Sequence, residues 1–290
     1  MASDYAERRW SSRDGLSLFA RDYAGAAGEA RLPIICLHGL TRNSKDFEEV
    51  ASRLAATGRR VLVPDVRGRG QSARDPDPAH YNPKVYARDV RELMHALGIR
   101  RAVFLGTSMG GIITMALAAL SSRSVAAAIL NDVGPEIAPE GVARIMSYVG
   151  QPASVESWIE AADYCRRTSD AAFPDHGADD WDRQARRTFR DEGGVPKLDY
   201  DPDILAPLLR RPPRGQGLLA WLLFRRLARN RPVLLLRGEL SDVVTRSIAD
   251  RMKASAPRLQ VIEVPGVGHA PMLTETEARD QIDRFLDAIP

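Results

Sequence analysis

The sequence predicts an α/β fold, a mostly parallel sheet with helices on both faces, and three observations predict it. Short apolar runs alternate with helical stretches from Leu16 to about Pro135, the rhythm of parallel strands joined by helical crossovers. One run, residues 102–105, stops at Gly106-Thr107-Ser108-Met109-Gly110-Gly111 and passes at once into an apolar helical stretch, residues 112–118. The rhythm breaks at about Pro135 and resumes at Pro232, so the segment between reads as an insertion.

Taken in order, residues 16–23 alternate as a half-exposed strand does. Residues 32–37 are a continuous apolar run, the pattern of a strand covered on both faces, and they end in His38-Gly39-Leu40. Ser44 is placed to N-cap a helix carrying Phe47, Val50, Leu54 and Ala55, closed by Gly58. Residues 60–65 form the next strand and lead into the glycine-punctuated loop from Val66 to Ser72. Tyr86, Val90, Leu93 and Leu97 mark one stripe of a helix ended by Gly98. After the serine turn and its helix, residues 125–130 read as a buried strand closing on Asn131-Asp132. From about 135 to 230 the composition is helical, broken by prolines, with no convincing strand and half of the chain's aromatic residues. Strands at 232–237 and 259–264 follow, with a helix near 248–254 between them and a last amphipathic helix holding Ile282, Phe285, Leu286 and Ile289.

A chain of 290 residues can bury a full core, and its 44% apolar and 27% charged residues are ordinary for a globular protein. The 41 basic and 38 acidic residues interleave, so the net charge of +3 makes no nucleic-acid footprint. Cys36 and Cys165 have no metal-ligand spacing and read as free thiols in a reducing compartment. Residues 1–13 lack an apolar signal core, and no run approaches the roughly 18 apolar residues of a membrane span. The expectation is a cytoplasmic protein without membrane or nucleic-acid partners, compatible with a homodimer. No motif implies a metal or an organic cofactor.

G-x-S-x-G between a strand and a helix is a turn so sharp that only very small flanking residues fit, hence Gly106 and Gly110. Such a turn lifts the Ser108 hydroxyl clear of the sheet as a nucleophile. Ligands gather beyond the carboxyl ends of parallel strands, where Ser108, Asp132, Asp242 and His269 all fall. His269, on the small-residue loop Gly266-Val267-Gly268-His269-Ala270, would take the serine proton and return it to the leaving group. Asp242 is the expected orienter of that imidazole, with Asp132 and Glu239 as rivals. The oxyanion formed by acyl attack needs two converging N–H groups. Met109 and Leu40 are assigned to it, with His38 and Gly39 shaping the loop.

These motifs together resemble the α/β-hydrolase superfamily: strand-His38-Gly39, Asp65-x-Arg67-Gly68-x-Gly70-x-Ser72, Gly106-x-Ser108-x-Gly110, Ser241-Asp242 and Gly268-His269, in that order over nearly the whole chain. The resemblance implies a mostly parallel eight-stranded sheet, residues 1–134 and 232–290, with a helical cap at 135–231 inserted after the sixth strand. It also implies a small-molecule ester or lactone as substrate. Dehalogenases and epoxide hydrolases of this superfamily carry aspartate at the nucleophile, so Ser108 points to acyl transfer to water through an acyl-enzyme. The C–C bond hydrolases, acting on a vinylogous diketone, share the triad but carry asparagine where Thr107 stands, and their tryptophan after the histidine is absent. Non-catalytic ligand-binding relatives usually lack a triad member; this chain has candidates for all three. Residues 204–231 hold seven arginines and no acid, either a solvated helical face or, at Arg210, Arg211 and Arg214, an attraction for anionic substrates.

Overall fold

The computed structural model describes residues 5–26, 31–149, 153–207 and 217–290. Its strands are β1 (Ala6–Ser11), β2 (Ser17–Tyr23), β3 (Ile34–Leu37), β4 (Val61–Asp65), β5 (Ala102–Thr107), β6 (Val125–Asn131), β7 (Phe189–Glu192), β8 (Val195–Leu198), β9 (Val233–Gly238) and β10 (Gln260–Val264). Eight of them form one sheet in the order β1-β2-β4-β3-β5-β6-β9-β10. Only β2 runs against its neighbours, and every pair from β4 to β10 is parallel. β3, β5, β6 and β9 carry almost wholly apolar, buried sequences, because helices cover both faces.

The helices are α1 (Glu48–Ala56), α2 (Pro83–Ala96), α3 (Met109–Leu120), α4 (Pro139–Tyr148), α5 (Trp158–Ser169), α6 (Ala178–Thr188), α7 (Leu218–Ala228), α8 (Arg246–Ser255) and α9 (Thr276–Asp287). α1 and α9 bury their apolar stripes on one face of the sheet. α2, α3, α7 and α8 do so on the other.

Four local readings change. Ala6–Ser11, a polar segment with no strand pattern, is the edge strand β1, held by its backbone to β2 while its side chains stay mostly exposed. β2 is buried beyond its first residue rather than half-exposed; its polar positions are neutralised there, Asp22 lying between Arg8 and Arg60 at 2.7 and 2.8 Å. The cap before α1 is Asn43, whose side chain accepts from Lys45 N at 2.9 Å. The neighbouring Ser44 instead gives its backbone N–H to Asp65. The insertion, expected to lack strands, contains the antiparallel hairpin β7–β8. That hairpin turns at Gly193-Gly194, both at positive φ, the glycine-pair turn whose twist suits a hairpin.

α4, α5, α6 and the hairpin lie between β6 and β9 in the chain and outside the large sheet. Around Cys165, Phe173, Trp181 and Phe189, α5, α6 and the hairpin enclose a small apolar core of their own, whereas Ile145 and Tyr148 of α4 pack against the main core. α7, also within the expected insertion, likewise packs on the main core. Its Phe224, Leu227 and Ala228 are buried with Ile113 and Leu117 of α3, against the main core.

Candidate active site

β5 delivers its last residue, Thr107, to the carboxyl edge of the sheet, and Ser108 follows at φ +51°. A non-glycine residue in that region stores about 1–3 kcal/mol of strain, held by the surrounding structure. The flanks show why they are glycines. A Cβ on Gly106 would stand 2.5 Å from Gly110 C, and one on Gly110 would stand 2.0 Å from the Leu37 carbonyl oxygen. The serine is locked from below by its backbone, Ser108 N donating to Asn131 O at 3.0 Å and Gly111 N to Ser108 O at 2.9 Å.

His269 Nε2 lies 3.0 Å from Ser108 Oγ, so the imidazole and the serine hydroxyl are in hydrogen-bond contact. The acid on the other ring nitrogen is Asp132, whose Oδ2 accepts from Nδ1 at 2.8 Å. This corrects the assignment of Asp242. Asp242 turns its carboxylate to α4, where Arg144 Nε and Nη2 donate to it at 2.5 and 2.8 Å. Burial works to raise the Asp242 carboxyl, but the Arg144 hydrogen bonds and charge outweigh it and hold the group below the usual carboxylate range.

The reason lies in the strand ends. Asp132 follows β6 at φ +51° and is fully buried. Its Oδ1 accepts from Gly238 N at 3.1 Å, and its Oδ2 also accepts from Ser241 Oγ at 2.5 Å. The Ser241 oxygen in turn accepts from Val243 N and Val244 N. In the pair Ser241-Asp242, then, the serine hydrogen-bonds to Asp132 and the aspartate pairs with Arg144 of the insertion. Glu239, the other rival, accepts from Gly266 N at the surface.

Asn131 was missed by sequence reasoning, although it adjoins Asp132. It is fully buried, and its Nδ2 donates to Thr107 Oγ1 at 3.0 Å and to Pro271 O at 2.8 Å. One side chain thereby ties the serine turn to the histidine loop.

His38 is buried beside the Leu40 loop. Its Nε2 accepts from Val66 N at 3.0 Å, which leaves the proton on Nδ1 to donate to Gly39 O at 2.8 Å. Burial pushes its pKa down to about 4, so it stays a neutral brace. Gly39 O and Leu40 N–H belong to one peptide plane, so holding the oxygen aims the N–H the opposite way. Met109 is the first residue of α3, where a helix leaves its N–H groups unpaired. Among the described residues, neither Leu40 N nor Met109 N has a protein acceptor.

Ser108 and His269 open into a cavity of about 160 Å³ roofed by the insertion. Tyr148, Tyr164, Thr168, Thr188 and Tyr200 give it a wall rich in hydroxyls, with Ile145, Phe173 and Leu198 as apolar neighbours. Cys165 lines it too as a free, buried thiol. Arg42 also faces it, but Asp46 grips that guanidinium at 2.5 and 2.8 Å. Arg210, Arg211 and Arg214 lie outside the described residues.

Away from this cavity, Asp14, Asp75 and His80 converge closely enough to suggest a cation site. Arg67 already supplies the cation, pairing with Asp14 and Asp75 at 2.8 and 2.5 Å. No described helix is long and apolar enough to cross a membrane.

A family model for the alpha/beta hydrolase fold matches residues 33–276. The chain belongs to the α/β-hydrolase family. This α/β hydrolase is 36% identical over 250 residues to a 3-hydroxybutyrate-oligomer hydrolase of Cupriavidus necator, covering 83% of this chain and 84% of that protein. It is 28% identical over 236 residues to a 2-(acetamidomethylene)succinate hydrolase of Mesorhizobium japonicum, covering 81% of each. Among solved structures, an α/β hydrolase from Novosphingobium aromaticivorans superposes with a TM-score of 0.92 at 43% identity, covering 100% of both chains.

Proposed function

We propose that this α/β hydrolase is a serine hydrolase that cleaves a small carboxylic ester or lactone, with an ester of a short hydroxy acid as the favoured substrate. The observation that carries the reading is the unbroken chain Ser108 Oγ, His269 Nε2, His269 Nδ1, Asp132 Oδ2, with links of 3.0 and 2.8 Å at the cavity floor.

Ser108 Oγ attacks the ester carbonyl as its proton passes to His269 Nε2. The imidazolium is held by the Asp132 carboxylate, and the oxyanion is taken by the N–H groups of Leu40 and Met109. Collapse breaks the C–O bond, and His269 returns the proton to the departing alkoxide. Water then adds to the acyl-Ser108 ester by the same route, releasing the carboxylic acid and the serine.

The substrate class is supported by the hydroxyl-rich cavity wall and by the oligo-ester named for the 36% identical relative. A dicarboxylate, as named for the 28% identical relative, would have to displace Asp46 from Arg42, since no other described lysine or arginine lines the cavity. The test is one panel on one sample: 3-hydroxybutyrate dimer and trimer, a short-chain acyl ester, a lactone and a vinylogous diketone. The hydroxybutyrate esters are expected to give the highest kcat/KM. Cleavage of the diketone with the esters left intact would overturn the reading.

A further inference from the structure

We infer that Arg69 is a positioning residue of the oxyanion hole, pinning the two donor residues and setting a fixed positive charge behind them. The inference rests on the acyl-enzyme reading of Ser108.

Arg69 stands in the glycine loop after β4, and its side chain is only 1% exposed. Its Nε donates to Leu40 O at 2.9 Å, and its Nη2 reaches Met109 Sδ at 3.7 Å. The two residues whose N–H groups face the oxyanion are therefore both held by one guanidinium. Its remaining donor, Nη1, goes to Arg67 O at 2.8 Å and Tyr86 Oη at 3.0 Å. The charge lies 5.1 and 5.7 Å from the ring centres of Tyr86 and Tyr81.

Leu40 is pinned on both sides. His38 holds the carbonyl of the peptide before its α-carbon, and Arg69 holds the carbonyl of the peptide after it. With both planes fixed, the Leu40 N–H has one direction. That is what preorganisation requires of a donor that must meet charge only in the transition state.

The charge itself is unusual. Neighbouring Arg67 pairs with Asp14, Asp75 and Asp89, whereas among the described residues no carboxylate lies within ion-pair distance of Arg69. A buried cation satisfied only by neutral acceptors and ring faces costs stability. A simple brace for the loop could use neutral groups. A full charge behind the hole, shielded from solvent ions, favours the tetrahedral oxyanion.

The test uses Arg69→Met, which removes charge and fork, and Arg69→Lys, which keeps the charge without the fork, beside Ser108→Ala. For wild type and the two Arg69 variants, kcat and KM on a short-chain ester are normalised to sites titrated with an organophosphonate, and for Ser108→Ala, which has no such site, to protein concentration. Inhibition constants are measured for a trifluoromethyl ketone, which forms a tetrahedral oxyanion, and for the product acid, which does not. Arg69→Met is expected to lose about 30-fold in kcat with KM within about 2-fold, and to bind the ketone about 30-fold more weakly while binding the acid normally. Arg69→Lys is expected to lose about 5-fold in kcat and in ketone affinity. If Arg69→Met does not fold, the lysine variant decides by the same criteria. Unchanged kcat and ketone affinity per titrated site would overturn the inference. Hydrolysis surviving in Ser108→Ala would instead remove the acyl-enzyme reading beneath it.

Discussion

Exchanging carboxylate for amide at Asp132 and at Asp242 separates two residues that look alike in the chain. Asp132 accepts from three donors, Gly238 N, Ser241 Oγ and His269 Nδ1. In Asp132→Asn, whichever way the amide is turned, its NH2 meets a group that also donates. The imidazole escapes by moving its proton to Nε2, the atom 3.0 Å from Ser108 Oγ, where it can no longer accept the serine proton. Loss of the correct tautomer is worth roughly 10⁴-fold in kcat, about 5.5 kcal/mol of barrier. Asp242→Asn removes instead the partner of Arg144, so kcat should stay within about 10-fold and stability should fall by about 1–2 kcal/mol. Initial rates on a chromogenic butyrate ester, normalised to titrated sites, and urea unfolding measure both. A loss above about 10³-fold in Asp242→Asn, with Asp132→Asn near wild type, would refute the reasoning and return the acid role to Asp242.

Three further outcomes follow from the same geometry. Gly110→Ala places a Cβ 2.0 Å from Leu37 O, so the serine turn must move and unfolding stability should drop by more than about 3 kcal/mol; an unchanged urea midpoint would contradict this. His38 is kept neutral in the fold, its pKa lowered from 6.5 to about 4, so the unfolded chain takes up the proton first. Its contribution of about 3 kcal/mol is complete above pH 6.5 and is lost as pH falls through 4. The stability gap between wild type and His38→Gln should therefore narrow between pH 7 and pH 4. Asp65 and Asp89, both raised by burial to about 6, act in the opposite sense but are present in both proteins and cancel in the difference; a constant gap would remove the assignment. Arg144→Met frees α4 from Asp242. KM should rise about 3-fold or more with kcat within about 2-fold, and the reverse pattern would argue against a binding role for that tie.

The sheet and the serine turn were legible because their signals are local. Buried parallel strands need uninterrupted apolar runs, and the turn needs glycine on both sides of Ser108. The carboxylate that meets His269 was not legible in this way. Asp132 and Asp242 each follow one of two adjacent strands, β6 and β9, and the choice between them is made by side-chain direction. The positive φ of Asp132 and the Ser241 hydroxyl decide it, and neither is written in the spacing of the residues. β1 escaped notice because its pairing is through backbone while its side chains face solvent. Arg69 was passed over for a related reason. An arginine between glycines reads as solvated, and only the approach of Leu40, Tyr81, Tyr86 and Met109 from elsewhere in the chain buries it. The β7–β8 hairpin, by contrast, had a local signal in Gly193-Gly194 that the helical composition around it masked.

The most direct measurement is mass spectrometry of protein quenched in acid during turnover of a slow ester, followed by peptide mapping. One acyl group is expected, on the peptide containing Ser108, with none in Ser108→Ala and that variant's kcat lowered by at least about 10³-fold. An acyl group on another side chain, or full hydrolysis by Ser108→Ala, would contradict the account.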